Sequence, residues 1–411
     1  MVLQTTGAIS LDDMHVELGE SSGTQVSIND TDIRGLIDKG DGASMSFNEW
    51  YGASAITYVN ATGGTITTSG NYRFHTFTSS GTLNISEIAT GGSSNVVDYI
   101  IIAGGASGAK GFWYNYSPTN NDPWVWTGGG GGAGGYLTGT FNATVGNKTV
   151  TVGSGGASVP NSANHSYAQL SNNGGNSSIS GVTTSTGGGG GGYMRYDGRY
   201  QSTYTSLGNA VQGKSGGSGG GMGGILFGSS ITVDGVLTTN ANTNIGGAGI
   251  SGQGHNGSRN DYGSNYAAGR AGSGGGAGGA PPAATGVMQH PVFGSYPNFS
   301  YSSNTTYAQD GGPGSNAGSA NYNGATRAGG GGGGIWAWYN TDSNGSRFSE
   351  GGSGGGGRGA RKRYPSKSGG GYTAATSGSA NTGSGGGGGL YTQASGAGGS
   401  GIVMIRYQYQ G

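Results

Sequence analysis

The segment whose spacing comes closest to a known reaction chemistry is Gly208-Asn209-Ala210-Val211-Gln212-Gly213-Lys214-Ser215, which has the glycine and lysine positions of a phosphate-binding loop. Such a loop follows a buried strand and opens a helix, so that backbone N–H groups converge on the phosphates. Here residues 201–207 are polar and residues 216–224 are almost all glycine, a poor helix former, so the match is read as a product of composition. The five histidines, His15, His75, His165, His255 and His290, are scattered without partners at metal-ligand spacing. His75, in an alternating segment, is read as a strand surface residue. The 18 acidic residues form no evident pair for glycoside hydrolysis, although pairing created only by folding stays open. The chain is read as a non-enzyme with no cofactor and no metal.

Recognition chemistry is better represented. Aromatic inserts carry Trp113, Tyr114 and Tyr116, then Trp124 and Trp126, then Tyr193, Tyr196 and Tyr200, then Trp336, Trp338 and Tyr339. A basic insert carries Arg361, Lys362, Arg363 and Tyr364, with Arg358 and Lys367 beside it. Tyr and Trp bring large contact area at low rotamer cost, and the surrounding Asn, Ser and Gly supply adaptable hydrogen bonds. These residues are the candidate binding surface. Two plainer readings stand beside this one: the aromatics cap the ends of a core-poor fold, and the basic cluster is a solvated turn that meets no acidic glycan or phosphate.

The elements that must position these inserts are unusual. One hundred of 411 residues are glycine, 9% are charged and none is cysteine. Nine prolines and no strict three-residue glycine period exclude a collagen helix. Twenty-four tyrosines, nine phenylalanines and six tryptophans on an uncharged chain argue against a solvated, disordered polymer. A net charge of zero gives no global field toward nucleic acid or membrane. Residues 1–13 lack the basic and apolar regions of a secretory signal, and the longest apolar run, 96–103, is too short to span a bilayer. An outward-facing composition without an export signal fits assembly inside a cell and release by lysis.

Three domains are expected. Residues 1–55 repeat a short motif: Ile9-Ser10-Leu11-Asp12-Asp13, Val26-Ser27-Ile28-Asn29-Asp30 and Met45-Ser46-Phe47-Asn48-Glu49. Each copy reads as a brief strand whose Asp or Asn caps a helical turn. Leu11, Ile28, Phe47 and Trp50 are its candidate attachment residues; the module is either a docking unit or an inert spacer. Residues 56–103 read as a β-rich base, with a hairpin around Ser69-Gly70-Asn71. Residues 104–411 alternate glycine tracts with inserts and close on an apolar strand, 402–409, suited to pair with 97–102. The fold class is mainly β and irregular.

A lone glycine tract is a flexible linker. Many together can order as threefold helices of polyproline II geometry, because each keeps its N–H and no Cβ prevents backbones from approaching. The expectation is a sandwich of packed glycine strands of polyglycine II type, with the inserts at its ends, where a rigid frame fixes loop positions.

At this point a resemblance enters. The order of 64–81, 97–105, 128–136, 150–153 and 399–407 resembles the glycine-rich domain of phage and prophage tail proteins, and the triplicated motif is similar to a leader of tailed-phage virion proteins. The alternation of tracts and aromatic loops is similar to the distal adhesins of T-even-type long tail fibres. The resemblance implies a phage tail adhesin located in the virion. Its partners would be other tail proteins, through residues 1–55, and a host outer-membrane protein or surface glycan, with no nucleic-acid partner and no membrane insertion. The alternatives are a purely structural tail spacer or capsid decoration, and an extracellular glycine-rich filament protein.

Overall fold

The structure is a computed structural model that describes residues 3–37, 39–40, 42–53, 55–91, 93–111, 113–115, 123–125, 127–161, 171–193, 212–224, 231–233, 236–238, 246–259, 271–281, 325–337, 349–363 and 372–410. It is mainly strand, with short helices α1 (Leu11–Glu17) and α2 (Thr31–Gly35) and a 3-10 turn (Phe47–Trp50). In chain order the strands are β1 (Asn60–Thr62), β2 (Thr65–Ser69), β3 (Tyr72–Phe77), β4 (Gly81–Glu87), β5 (Val96–Ile102), β6 (Trp113–Asn115), β7 (Pro123–Val125), β8 (Tyr136–Asn142) and β9 (Gly146–Thr151). There follow β10 (Ser177–Ile179), β11 (Thr183–Ser185), β12 (Ile231–Val233), β13 (Val236–Thr238), β14 (Ile335–Ala337), β15 (Arg361–Arg363), β16 (Tyr372–Thr373) and β17 (Ile402–Gln408).

The three N-terminal repeats build helix starts. Ser10 N–H donates to Asp13 at 2.7 Å, Ser27 N–H to Asp30 at 2.8 Å and Ser46 N–H to Glu49 at 2.7 Å. In the first and third copies the serine and the acid three residues on form a capping box, whereas in the second Asp30 is itself the N-cap. The expected strands are absent among the described residues of 1–55. In the first and third copies the serine, not the following Asp or Asn, is the cap, because its side chain reaches the free N–H groups of the first turn. Met14, Ile33, Leu36, Leu3 and Trp50 close a small core beneath these turns.

Two five-stranded antiparallel sheets form the next layer, in the orders β1-β4-β9-β10-β11 and β2-β3-β17-β5-β8. Gly70 takes φ +56° in the two-residue loop between β2 and β3, one residue shorter than the sequence suggested. The closing strand pairs with Val97–Ile102 as expected, Ile402 opposite Ile102 and Arg406 opposite Asp98, and sits centrally between β3 and β5. Alternation along β5 and β17 sends Val97, Ile101, Val403, Ile405 and Tyr407 into a core with Leu83, Ile85, Val150 and Ile179 of the other sheet. It sends Ile100, Ile102, Ile402 and Met404 to the opposite face, against Ala133 and Ala328 of the glycine region. His75 is fully buried, not a surface residue, because the face it shares with Phe77 is the one covered by the second sheet.

Beyond the sheets the glycine tracts bond sideways with a three-residue period. In tract 127–135, Gly128, Gly131 and Gly134 donate to Gly389, Gly386 and Gly383 at 2.8–3.0 Å. Gly129, Gly132 and Gly135 donate to Gly192, Gly189 and Thr186, while Gly130 and Ala133 donate to Gly272 and Gly275. Its carbonyls accept from three further tracts, through Ala109, Ala106 and Ala103, through Gly221 and Ser218, and through Gly334 and Gly331. Successive residues of this tract address different neighbours and every third residue returns to the same one, so six tracts surround it. No glycine among the described residues 93–145 has a left-handed φ, so glycine is required here for its missing side chain. A Cβ on Gly131 would lie 2.2 Å from the Ala106 carbonyl oxygen.

Candidate functional site

Hydrogen bonds assign the two ends of this slab. At one end Ala103 N–H donates to Gly135, Gly135 to Thr186 and Gly401 to Gly153, each within two residues of a sheet strand. Six tracts run directly on from β5, β9 and β11 or into β8, β10 and β17, so the sheets anchor them at this proximal end. At the distal end Gly128 donates to Gly389, Gly389 to Ala109, Gly129 to Gly192, Gly334 to Gly128 and Ile335 to Ala360. The chain leaves or re-enters the slab there at Gly111, Thr127, Tyr193, Ile335 and Arg361. Every aromatic or basic insert singled out from sequence is therefore bounded at this one end.

Within those inserts, β6 and β7 pair as a hairpin, Trp113 opposite Val125 and Tyr114 opposite Trp124. Tyr193 is half-buried directly after Gly192. Trp336 lies in β14, which runs parallel to β15, and β16 completes a three-stranded sheet. Tyr116, Trp126, Tyr196, Tyr200, Trp338, Tyr339 and Tyr364 lie outside the described residues.

Arg361 departs from expectation. It is only 6% exposed, in register with Ile335, which is also buried, because both continue directly from slab residues into the sheet's inner row. It is removed from the candidate binding surface. Two residues that sequence reasoning missed take a place there: Tyr372 is 41% exposed, its hydroxyl lies 2.8 Å from that of Tyr391, and the rings meet edge to face at 6.4 Å. Both stand just after glycine tracts, as Tyr193 does, and that position is the signal that points to them.

The phosphate-loop match resolves into slab structure where it is described. Lys214 N–H donates to Gly190 at 2.8 Å and its ammonium bonds the Ser171 carbonyl. Burial lowers the pKa of Lys214 and of Lys110. No group of three His, Cys, Asp or Glu residues is placed to hold a metal among the described residues, and none of their helices is long and apolar enough to cross a membrane.

At the other extreme of the chain, Trp50 is fully buried and cannot be an attachment residue, since the three capped turns close over it. Leu11 and Ile28 pack half-buried against the same core, whereas Phe47 is 54% exposed. Residues 1–50 hold nine acidic residues against two basic ones. Residues 351–411 hold six basic residues and no acidic one. The zero net charge conceals this polarity. No protein-family model matches the chain, and no curated protein matches it.

Proposed function

We propose that the chain is a tail structural protein of a bacteriophage virion and acts as a non-enzymatic adhesin that binds the host surface. In this reading the slab is a polyglycine II-type sandwich, the β-sheets are its base and residues 1–55 hold it to other tail proteins. The observation that carries the reading is the gathering of the aromatic and basic inserts at the one slab end that faces away from the sheets. Binding residues are best served by a frame that fixes their positions without itself competing for contacts. A backbone lattice with almost no side chains is such a frame. Partners at the distal end would be an outer-membrane protein or a surface glycan, and the acidic N-terminal module, with Phe47 exposed, would meet the virion.

The purified chain is expected to bind susceptible bacterial cells and to reduce phage adsorption in competition, while a variant lacking residues 113–125 binds less. Saturable binding to phage particles with none to cells would instead assign the distal end to virion contacts.

A further inference from the structure

The turn that follows tract 385–389 holds its aromatic residue rigidly. Gln393 N–H donates to the Leu390 carbonyl at 3.1 Å and closes a four-residue turn, with Leu390 fully buried and Tyr391 half-buried. Both flanks are tied to the slab, Gly389 N–H donating to Ala109 and Gly396 N–H to Gly387, each at 2.8 Å. A second segment is locked to the same turn: Ser395 N–H donates to the Val159 carbonyl at 3.1 Å, Val159 N–H to Ser395 Oγ at 2.9 Å and Asn161 Nδ2 to the Thr392 carbonyl at 2.9 Å. With Nδ2 committed to Thr392, the exposed Asn161 amide has a fixed orientation and brings its oxygen, an acceptor, to this surface. Tyr372, from β16, stands 41% exposed, its hydroxyl 2.8 Å from that of Tyr391 and the two rings close to perpendicular, at 79°. Hydrogen bonds thus join Tyr372, Tyr391 and Asn161 into one group at the distal end.

We propose that Tyr372, Tyr391 and Asn161 form a subsite for a neutral saccharide of the host surface. This rests on the host-binding reading of the distal end. Aromatic rings cover the apolar C–H faces of sugars, while phenol and amide groups bond their hydroxyls. Two rings near a right angle can meet a hexose on its face and along its edge. Because the turn and its neighbour are already fixed by backbone bonds, little ordering entropy is lost when a sugar binds. None of the three side chains is charged, so selection works through ring faces and hydroxyls and needs no ionic group on the ligand. A protein partner fits less well, since a stable protein interface covers roughly 800 Å² on each side and three side chains cover far less.

The test is calorimetric titration of the full chain with maltotriose, mannotriose and chitotriose, with trigalacturonate and a single-stranded oligonucleotide as charged counterparts. At least one neutral sugar is expected to bind about tenfold more tightly than either charged probe, with an affinity that does not change as salt rises. Tyr391→Ala is expected to weaken that binding about tenfold, and Tyr391→Phe, which keeps the ring, less. Saturation transfer from the protein to the sugar C–H protons is expected to fall in Tyr372→Ala; circular dichroism checks that each variant is folded. The proposal is overturned if no neutral sugar binds, if a charged probe binds as tightly, or if folded Tyr391→Ala and Tyr372→Ala both bind like the parent. Cell binding without sugar binding would sink this subsite and leave the adhesin reading standing; sugar binding without cell binding would do the reverse.

Discussion

The imidazole Nε2 of His75 lies 3.0 Å from the hydroxyl of Tyr407, in the core between the two sheets. Its Nδ1 lies 2.7 Å from the Gly63 carbonyl, which can only accept, so Nδ1 carries a proton, and in the neutral ring that burial favours Nε2 is the acceptor. Tyr407 donates to Nε2 and accepts from Ala61 N–H at 3.0 Å, which ties β3, β17 and β1 together. Burial lowers the His75 pKa, with Arg73 acting in the same direction and the bond to Gly63 against it.

That network predicts acid sensitivity. A folded pKa below the ordinary 6.5 means that the unfolded chain binds the proton first as pH falls. The histidine's contribution is complete above the unfolded value and is lost as pH falls from there toward the folded one, by at most about 1.4 kcal/mol per pH unit. His75→Gln, whose amide can still donate to Gly63 and accept from Tyr407, is expected to show a smaller drop in thermal midpoint between pH 7.5 and 5.5. An equal drop in both proteins would contradict the assignment.

The slab predicts an inverted rule for small substitutions. Gly131→Ala introduces a methyl into the space of the Ala106 carbonyl, where both partners are backbone and neither can rotate away. A loss of about 3 kcal/mol or more is expected in denaturant unfolding, at the upper end for overpacking. Two residues along, Ala133→Gly removes a buried methyl from the patch against Ile100 and Met404 and should cost about 1 kcal/mol.

The N-terminal module predicts a local effect. Ser10→Ala and Ser46→Ala each remove a cap and should destabilise the module by about 1 kcal/mol apiece, seen as faster proteolysis within residues 1–55. Trp50→Ala empties its core and should cost about 3–5 kcal/mol. The slab amides are expected to be unaffected in both cases.

Because β17 lies between β3 and β5, removal of residues 402–411 is expected to abolish folding of the sheets altogether. The check is loss of the cooperative thermal transition in the truncated chain. A truncated protein that still unfolds cooperatively would show that the central strand is dispensable.

Much of this was legible in the residues, and the failures have physical causes. The runs 97–102 and 402–409 announce their pairing because a doubly covered strand is continuously apolar. Thr149-Val150-Thr151 and Ile231-Thr232-Val233 are likewise the strands their β-branched residues suggest. The terminal repeat misled because an apolar–Ser–apolar alternation imitates a strand, whereas Ser to acid at a spacing of three is the decisive signal. Arg361 and His75 were misplaced for a shared reason: residue type predicts exposure, but which face of a strand is covered depends on the layer beside it. Glycine content foretold close backbones; the six-neighbour arrangement depends on contacts between distant tracts that no local pattern encodes.

The account rests on the glycine tracts being fixed by their lateral hydrogen bonds, and amide hydrogen exchange across residues 127–135 measures this directly. The slab predicts protection comparable to that of β5 and β17, because Gly128 to Gly135 all donate to carbonyls of other tracts. Exchange in that segment as fast as in an unstructured glycine peptide, while β5 and β17 stay protected, would contradict it.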